Sequence, residues 1–155
     1  MCELKQKIEA SFDLLRDPSL LFLRLILAYG FFEPAMNKWS DIDAVASWFR
    51  DGLGLPMPLL SAYMAASTEI VGVALLTLGL FVRFISIPLI IVMIVAITTV
   101  HLQNGFSAAD NGFEIPFYYM LMLIVLLAHG GGKIGIDYFI KTQKIWKNQQ
   151  HPIKI

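Results

Sequence analysis

Apolar residues along this chain are gathered into four long runs, and polar residues are gathered between them. The runs extend from about Ser19 to Met36, from Leu59 to Val82, from Phe84 to Leu102 and from Phe113 to His129. Crossing the hydrocarbon core of a bilayer takes roughly 20 helical residues, and each run falls within the tolerated range. A chain of 155 residues has too little polar surface to cover four such helices in water. The pattern therefore predicts an all-α membrane protein, a four-transmembrane-helix bundle.

The segment between the first two runs, residues 37–58, has a shorter pattern of its own. Ser40 followed by Asp43 indicates a weak capping box. Apolar side chains then recur at helical spacing, at Ile42, Val45, Ala46 and Phe49. Two glycines and a Pro-Met-Pro sequence follow, and these residues end helices. We predict a short amphipathic helix lying in the membrane interface, with an irregular loop as the alternative.

The polar ends, residues 1–18 and 133–155, are predicted to be cytoplasmic tails of one membrane domain that covers residues 1–155. Lys and Arg accumulate on the cytoplasmic side of membrane proteins. With both termini inside, only Lys38 and Arg50 lie outside, and nine cations lie inside: Lys5, Lys7, Arg16, Arg83, Lys133, Lys141, Lys144, Lys147 and Lys154. The sequence therefore predicts an N-in, C-in topology, and the second tail is expected to begin as a helix on the membrane surface.

Composition agrees with a membrane location and excludes several functions. Charged residues make up 15% of the chain, whereas soluble domains carry about 25%. Lys+Arg and Asp+Glu balance at 12 each, so no net field favours nucleic acid as a partner. The single cysteine, Cys2, excludes an intramolecular disulfide, a thiol relay and a cysteine metal cage. His101, His129 and His151 show no metal-ligand spacing, and no cofactor motif is recognisable, so no metal and no intrinsic cofactor are expected.

Charged residues inside the apolar runs are the strongest candidates for a site, because a charge in lipid is costly unless it is paired or wet. Glu69 lies about 15 Å into the second run and shares its helical face with small residues, which predicts that it points into the bundle. Arg24 and Lys38 share one face of the first run, and either side chain is long enough to reach toward Glu69. A pair that only holds helices in register is the alternative to a functional site.

A second group of polar residues is expected at the outer ends of the helices. Glu33, Lys38, His101 and Glu114 are predicted to line one polar vestibule, with Glu69 below it. Structural alternatives exist for two of these residues. Glu114 lies three residues after Asn111, which is the spacing of a capping box. His101 lies at a membrane boundary, where histidines often have only an interfacial role.

From about Leu20 to Asp137 the chain resembles the DoxX family of small four-helix membrane proteins. The resemblance depends on the order and spacing of several pieces, namely Arg24 and Lys38, GLGLPMPLL at 52–60, Glu69 with Gly72, TLGLFVRF at 77–84, TTVH ending at His101, and GKIGID at 132–137. It implies a multi-pass protein of the bacterial cytoplasmic (inner) membrane. Members include subunits of thiosulfate:quinone oxidoreductase, and others are linked to oxidative-stress complexes or to gene clusters for copper-binding modified peptides.

Three functional hypotheses follow, and in each of them the protein lies in the lipid bilayer. The first is an accessory or scaffold subunit of a membrane redox or stress-response system, which acts by binding a protein partner or a second copy of the chain. The second is a quinone-binding oxidoreductase subunit in which Glu69 or His101 handles protons. The third is a carrier of a small solute, coupled to protons through Glu69, although no inverted repeat is visible in the sequence. Whether the chain is an enzyme is left open by its residues.

Overall fold

The structure, a computed structural model, describes the backbone of residues 2–150 and the side chains of residue 12 and residues 14–143. Residue 1 and residues 151–155, the outermost parts of the two predicted tails, lie outside the described residues. The described chain is helical and contains no strand. It folds into α1 (Cys2–Ser40), α2 (Ile42–Asp51), α3 (Pro58–Leu78), α4 (Val82–Ala96), α5 (Glu114–His129) and α6 (Ile136–Gln150).

Four of these helices form a closed ring around one core. α1 packs against α3 and α5, and α4 packs against the same two helices from the other side. The core consists of buried apolar side chains from all four helices: Leu20, Leu27, Ala28, Phe31, Leu76, Val82, Ile85, Leu89, Met93, Leu123 and Leu126. This is a four-helix bundle in which each long helix has two neighbours.

Three helical segments are long and apolar enough to cross a membrane: Leu14–Ser40, Pro58–Leu78 and Val82–Asn104. α5 is also apolar, but its 16 residues span only about 24 Å at 1.5 Å per residue. Large apolar side chains cover the outside of the ring, for example Tyr29 at 84% and Phe84 at 71% exposure. Exposed apolar surface on every side of a bundle is what lipid requires and water penalises.

The first helix is longer than the apolar run that predicts it. α1 begins at Cys2, so most of the predicted tail 1–18 is helical and continuous with the membrane segment. Pro18 and Pro34 both lie inside the helix. Each proline removes one backbone hydrogen bond but does not end the helix here. The sequence places the polar residues correctly outside the apolar run but does not show that the helix continues through them.

The predicted short helix between the first two runs is present as α2. Its cap residue lies one position later than predicted, because Asp41, not Ser40, accepts a hydrogen bond from the Ala44 backbone N–H at 3.0 Å. The buried side chains of Ala46 and Phe49 pack with Ala62 of α3. This contact attaches α2 to the start of α3. Its place in the membrane interface stays a prediction.

The link between α3 and α4 lies at residues 79–81 and not at Arg83, which belongs to the first turn of α4. Gly79 ends α3 with φ +66°, a left-handed conformation that glycine adopts without strain. A Cβ at this position would also collide with the Arg24 guanidinium. The Leu80 N–H closes the helix end by donating to the Leu75 carbonyl at 3.0 Å. Glycine is therefore required here both by backbone conformation and by the close approach of α1.

Candidate functional site

A buried ion pair joins α1 to α3. The Lys38 ammonium donates to both oxygens of Glu69, with Nζ–Oε1 at 2.9 Å and Nζ–Oε2 at 2.7 Å. The Glu69 side chain is 2% exposed and that of Lys38 is 24% exposed. Of the two cations that the sequence offers as partners for Glu69, the structure pairs Lys38. A bidentate contact of this kind satisfies both carboxylate oxygens in a region where water is scarce.

Small side chains on the two helices allow this pair to form. Ala62, Ala66 and Gly72 are buried on the same side of α3 as Glu69. On α1, Ala28 and Ala35 are buried as well, at 5% and 0% exposure. Small residues on facing surfaces let helix backbones approach closely, so a side chain on one helix can reach the other.

The pair faces an open cavity of about 220 Å³ that is lined by residues of α1, α3, α4 and α5 and by His101. Its polar groups are Lys38, Glu69, His101 and Tyr119, and its other walls are formed by Gly30, Phe31, Pro34, Met93, Ala96, Ile115 and Pro116. An apolar enclosure with a few converging polar groups is the usual form of a small-molecule site. At this volume the cavity holds a ring-sized group and not a large molecule.

His101 reaches the cavity from the last residue of a π-helical turn, Ile97–His101, that continues α4. One turn of this wider helix rotates the residues after it relative to an α-helix, and such turns recur at functional sites. The His101 Nδ1 lies 2.8 Å from the Asn111 carbonyl oxygen. Because a carbonyl only accepts, Nδ1 carries the proton. In the neutral ring Nε2 is therefore left as an acceptor, and in the cation Nε2 donates.

Tyr119 enters the cavity because Gly30 makes room for it. A Cβ on Gly30 would collide with the Tyr119 ring, so α5 approaches α1 only at a residue without a side chain. The ring also packs on Phe31, with centroids 5.7 Å apart. Tyr119 is not among the site residues predicted from the sequence, although it lies in the same cavity as the ion pair. Gly30, an isolated glycine within an apolar helix, was the available signal for a close contact.

The remaining predicted site residues lie elsewhere. Arg24 is fourteen residues from Lys38 on α1, which places it about 21 Å away, at the other end of the bundle. Glu33 is exposed and does not line the cavity, since five helical positions separate it from Lys38 by about 140° around the axis. Glu114 accepts a hydrogen bond from the Ala108 N–H at 3.0 Å and orders the connecting loop. Its predicted capping box with Asn111 does not form, because Phe113 is the cap residue of α5.

The site thus contains three of the six predicted residues, Lys38, Glu69 and His101. Within the described part of the chain, no group of three or more His, Cys, Asp or Glu side chains is placed to hold a metal ion. Apolar helices with a buried ion pair between two of them agree with a membrane protein that has an internal polar site.

The family model for DoxX matches residues 19–102, and the chain belongs to the DoxX family. The matched region contains α2, α3 and α4 completely, together with the apolar part of α1. It includes Lys38, Glu69 and His101 and ends just after the π-helical turn.

Several relatives match most of the chain. An uncharacterised protein of Haemophilus influenzae is 34% identical over 130 residues, which cover 79% of this chain and 83% of the relative. A Bacillus subtilis protein named "Putative oxidoreductase CatD" is 28% identical over 120 residues, covering 77% and 85%. An uncharacterised membrane protein of Mycobacterium tuberculosis is 27% identical over 130 residues, covering 77% and 80%. No solved structure is significantly similar to the chain.

Proposed function

We propose that this DoxX-family protein is the membrane subunit of a redox system and binds the head group of a quinone in the cavity beside Lys38 and Glu69. The observation that carries the proposal is the meeting of an ammonium, a carboxylate and an imidazole in one apolar cavity. One relative carries an oxidoreductase name, which agrees with a redox role for the family.

The orientation of the cavity follows from a four-span topology, which is part of the same proposal. α5 would complete a fourth crossing, and both termini would lie in the cytoplasm, because the Lys and Arg residues concentrate on that side. The end of α1 and the start of α5 then lie on the outer side. The cavity would open in the outer half of the membrane, with Glu69 near the centre of α3.

The lining of the cavity fits a quinone head group. A quinone ring is flat and apolar, and it carries two carbonyl oxygens that accept hydrogen bonds. The Lys38 ammonium and the cationic form of His101 supply donors, and the rings of Phe31 and Tyr119 supply apolar walls. A volume of about 220 Å³ is below the usual range for a whole ligand. Only the head group would enter, and the isoprenoid tail would remain in lipid between the helices.

In the proposed reduction, His101 supplies a proton and Glu69 positions Lys38. Reduction of a quinone to a quinol consumes two electrons and two protons. We propose that the electrons come from the redox centre of a partner protein, which binds to the cytoplasmic or outer surface. His101 donates one proton from Nε2 and regains it from water at the outer surface, while Glu69 fixes the Lys38 ammonium in place. The second proton would come from water through the same opening.

The test is a titration of purified protein in detergent with a short-tailed quinone. His101→Ala removes one donor and should weaken binding about 10- to 100-fold, the effect of one charged hydrogen bond. Thr98→Ala is the matched control, because Thr98 belongs to the same π-helical turn but is exposed and bonded only to backbone carbonyls of that helix. Equal affinity in both variants would exclude His101 from the site.

A scaffold function is the second candidate, and α6 is the feature that favours it. α6 is tied to the bundle where its Asp137 N–H donates to the Gly79 carbonyl at 3.2 Å. Farther along, Phe139 and Ile140 are 65% and 54% exposed. Such a helix can bind a partner protein at the membrane surface. If the protein acts only as a scaffold, truncation before Phe139 should release the partner during purification, and His101→Ala should have no effect.

A further inference from the structure

A second and larger recess lies at the opposite end of the bundle from Lys38 and His101. It has a volume of about 680 Å³ and is bordered by the link between α3 and α4, the end of α5 and the start of α6. Four cations line it, namely Arg16, Arg83, Lys133 and Lys141. We call it the basic groove. None of its residues takes part in the cavity described above.

The charges of the basic groove do not cancel. Among the residues whose side chains the structure describes, two carboxylates, Asp17 and Asp137, face its four cations, which leaves a formal charge of +2 before His129 is counted. Asp17 is already engaged, because its Oδ1 accepts from the Lys133 backbone N–H at 2.9 Å. Its other oxygen lies 3.8 Å from the Lys133 ammonium, a loose contact for a side chain that is 69% exposed. The groove therefore presents excess positive charge to an incoming anion.

The buried guanidinium of Arg24 adds a further positive charge behind the wall of the groove. Arg24 is 1% exposed, and its Nη2 donates to the Ile134 carbonyl. Its Nε and Nη1 have no hydrogen-bond partner among the described residues. Gly131 forms part of the groove wall, and a Cβ placed on it would lie 3.5 Å from Nη1. The Gly131 backbone thus lies close to a buried cation whose donors are not all used.

One edge of the basic groove is apolar and lies on the outside of the bundle. Phe81 and Phe84 both line the groove and are 55% and 71% exposed, with ring centroids 6.2 Å apart. Phe81 has φ +49°, a left-handed conformation that is uncommon for a bulky residue. Strain of this kind persists where the surrounding structure requires a side chain in one position. The groove thus combines cations with an exposed aromatic edge, as a site for an amphiphile does.

We propose that the basic groove binds the phosphate of an anionic lipid head group, with the acyl chains lying along Phe81 and Phe84. A lipid is favoured over a soluble phosphate compound because the groove lies where α3 and α5 end and α4 begins. These ends are at the level of the head groups when the helices cross the membrane. Basic recesses between transmembrane helices bind anionic head groups on the cytoplasmic side, which is the side that the proposed topology gives to the groove.

The experiment uses the full-length protein in nanodiscs that contain phosphatidylcholine with or without phosphatidylglycerol, and native mass spectrometry counts retained lipid. Each cation near an anionic membrane contributes about fivefold to binding. The triple variant Arg83→Gln/Lys133→Gln/Lys141→Gln should therefore bind phosphatidylglycerol about 100-fold more weakly and retain little of it. Arg50→Gln, an exposed cation on α2 at the other end of the bundle, is the control and should retain it.

Inorganic phosphate and glycerol phosphate are added in a second arm. The proposal predicts that neither displaces the lipid at millimolar concentration, because neither contacts the aromatic edge. Displacement by either compound would show that the groove takes a free phosphate and would overturn the lipid proposal. Retention of phosphatidylglycerol by the triple variant at the level of Arg50→Gln would overturn the assignment of the site. Melting temperature in phosphatidylcholine alone verifies that the triple variant folds.

Discussion

The Lys38–Glu69 pair predicts an unequal response to the loss of each partner. In Lys38→Met the Glu69 carboxylate, 2% exposed, loses the cation that pairs with it and stays in a mostly apolar surrounding. We expect this change to lower the free energy of unfolding by about 3–5 kcal/mol, the usual result of breaking a buried pair. In Glu69→Leu the Lys38 side chain, 24% exposed, can extend its ammonium to the surface. That loss should be nearer 1–3 kcal/mol, as for an incompletely satisfied polar group.

The double variant Lys38→Met/Glu69→Leu should regain most of the loss, because apolar side chains of similar volume often replace a buried pair at little cost. The coupling between the two changes should be about 3 kcal/mol or more, and unfolding by SDS in mixed micelles would measure it. Lys133→Met is the control. It removes an exposed contact to Asp17 at 3.8 Å and should change stability by less than about 1 kcal/mol. Equal losses in the single variants, or strictly additive losses in the double variant, would refute the reasoning.

Three further predictions concern the fold. Reporter fusions after Lys144 and within residues 103–110 should report opposite sides, with the first cytoplasmic, and one compartment for both would contradict the four-span topology. Gly30→Ala should lower the melting temperature, since its Cβ collides with the Tyr119 ring and overpacking costs about 1–3 kcal/mol. Asp41→Ala should destabilise the protein by about 1 kcal/mol through loss of the α2 cap, and Asp43→Ala, an exposed residue in the first turn of α2, should not.

The apolar pattern predicts the helices well because each one needs a long apolar surface. The bounds of α3 and α5 lie within four residues of the predicted runs. The predicted helix ends are wrong where backbone conformation, and not hydrophobicity, determines where a helix ends. Gly79 ends α3 before the apolar run ends, because its positive φ breaks the helix. The residues before Ser19 continue α1; Leu4, Ile8, Phe12 and Leu15 recur there at helical spacing but form no continuous apolar run.

The residues of the site are predicted less well because side-chain direction depends on packing between helices. Glu69 is predicted to point inward from the small residues on its face, and it is buried. Lys38 and Arg24 share a face of α1, so the sequence alone does not choose between them as partners for Glu69. The choice follows from the depth of each residue once α1 and α3 are packed. The direction of His101 depends on one π-helical turn, which has no recognised sequence signal.

The central proposal is that a quinone head group occupies the cavity beside the Lys38–Glu69 pair. The most direct measurement is the amount of quinone that co-purifies with the protein from native membranes, relative to total lipid, for the wild type and for His101→Ala. We predict enrichment to about one quinone per protein in the wild type, because the cavity beside the pair has room for one head group. His101→Ala should lose that enrichment and keep its melting temperature. Quinone at the same ratio to lipid in both proteins would contradict the account.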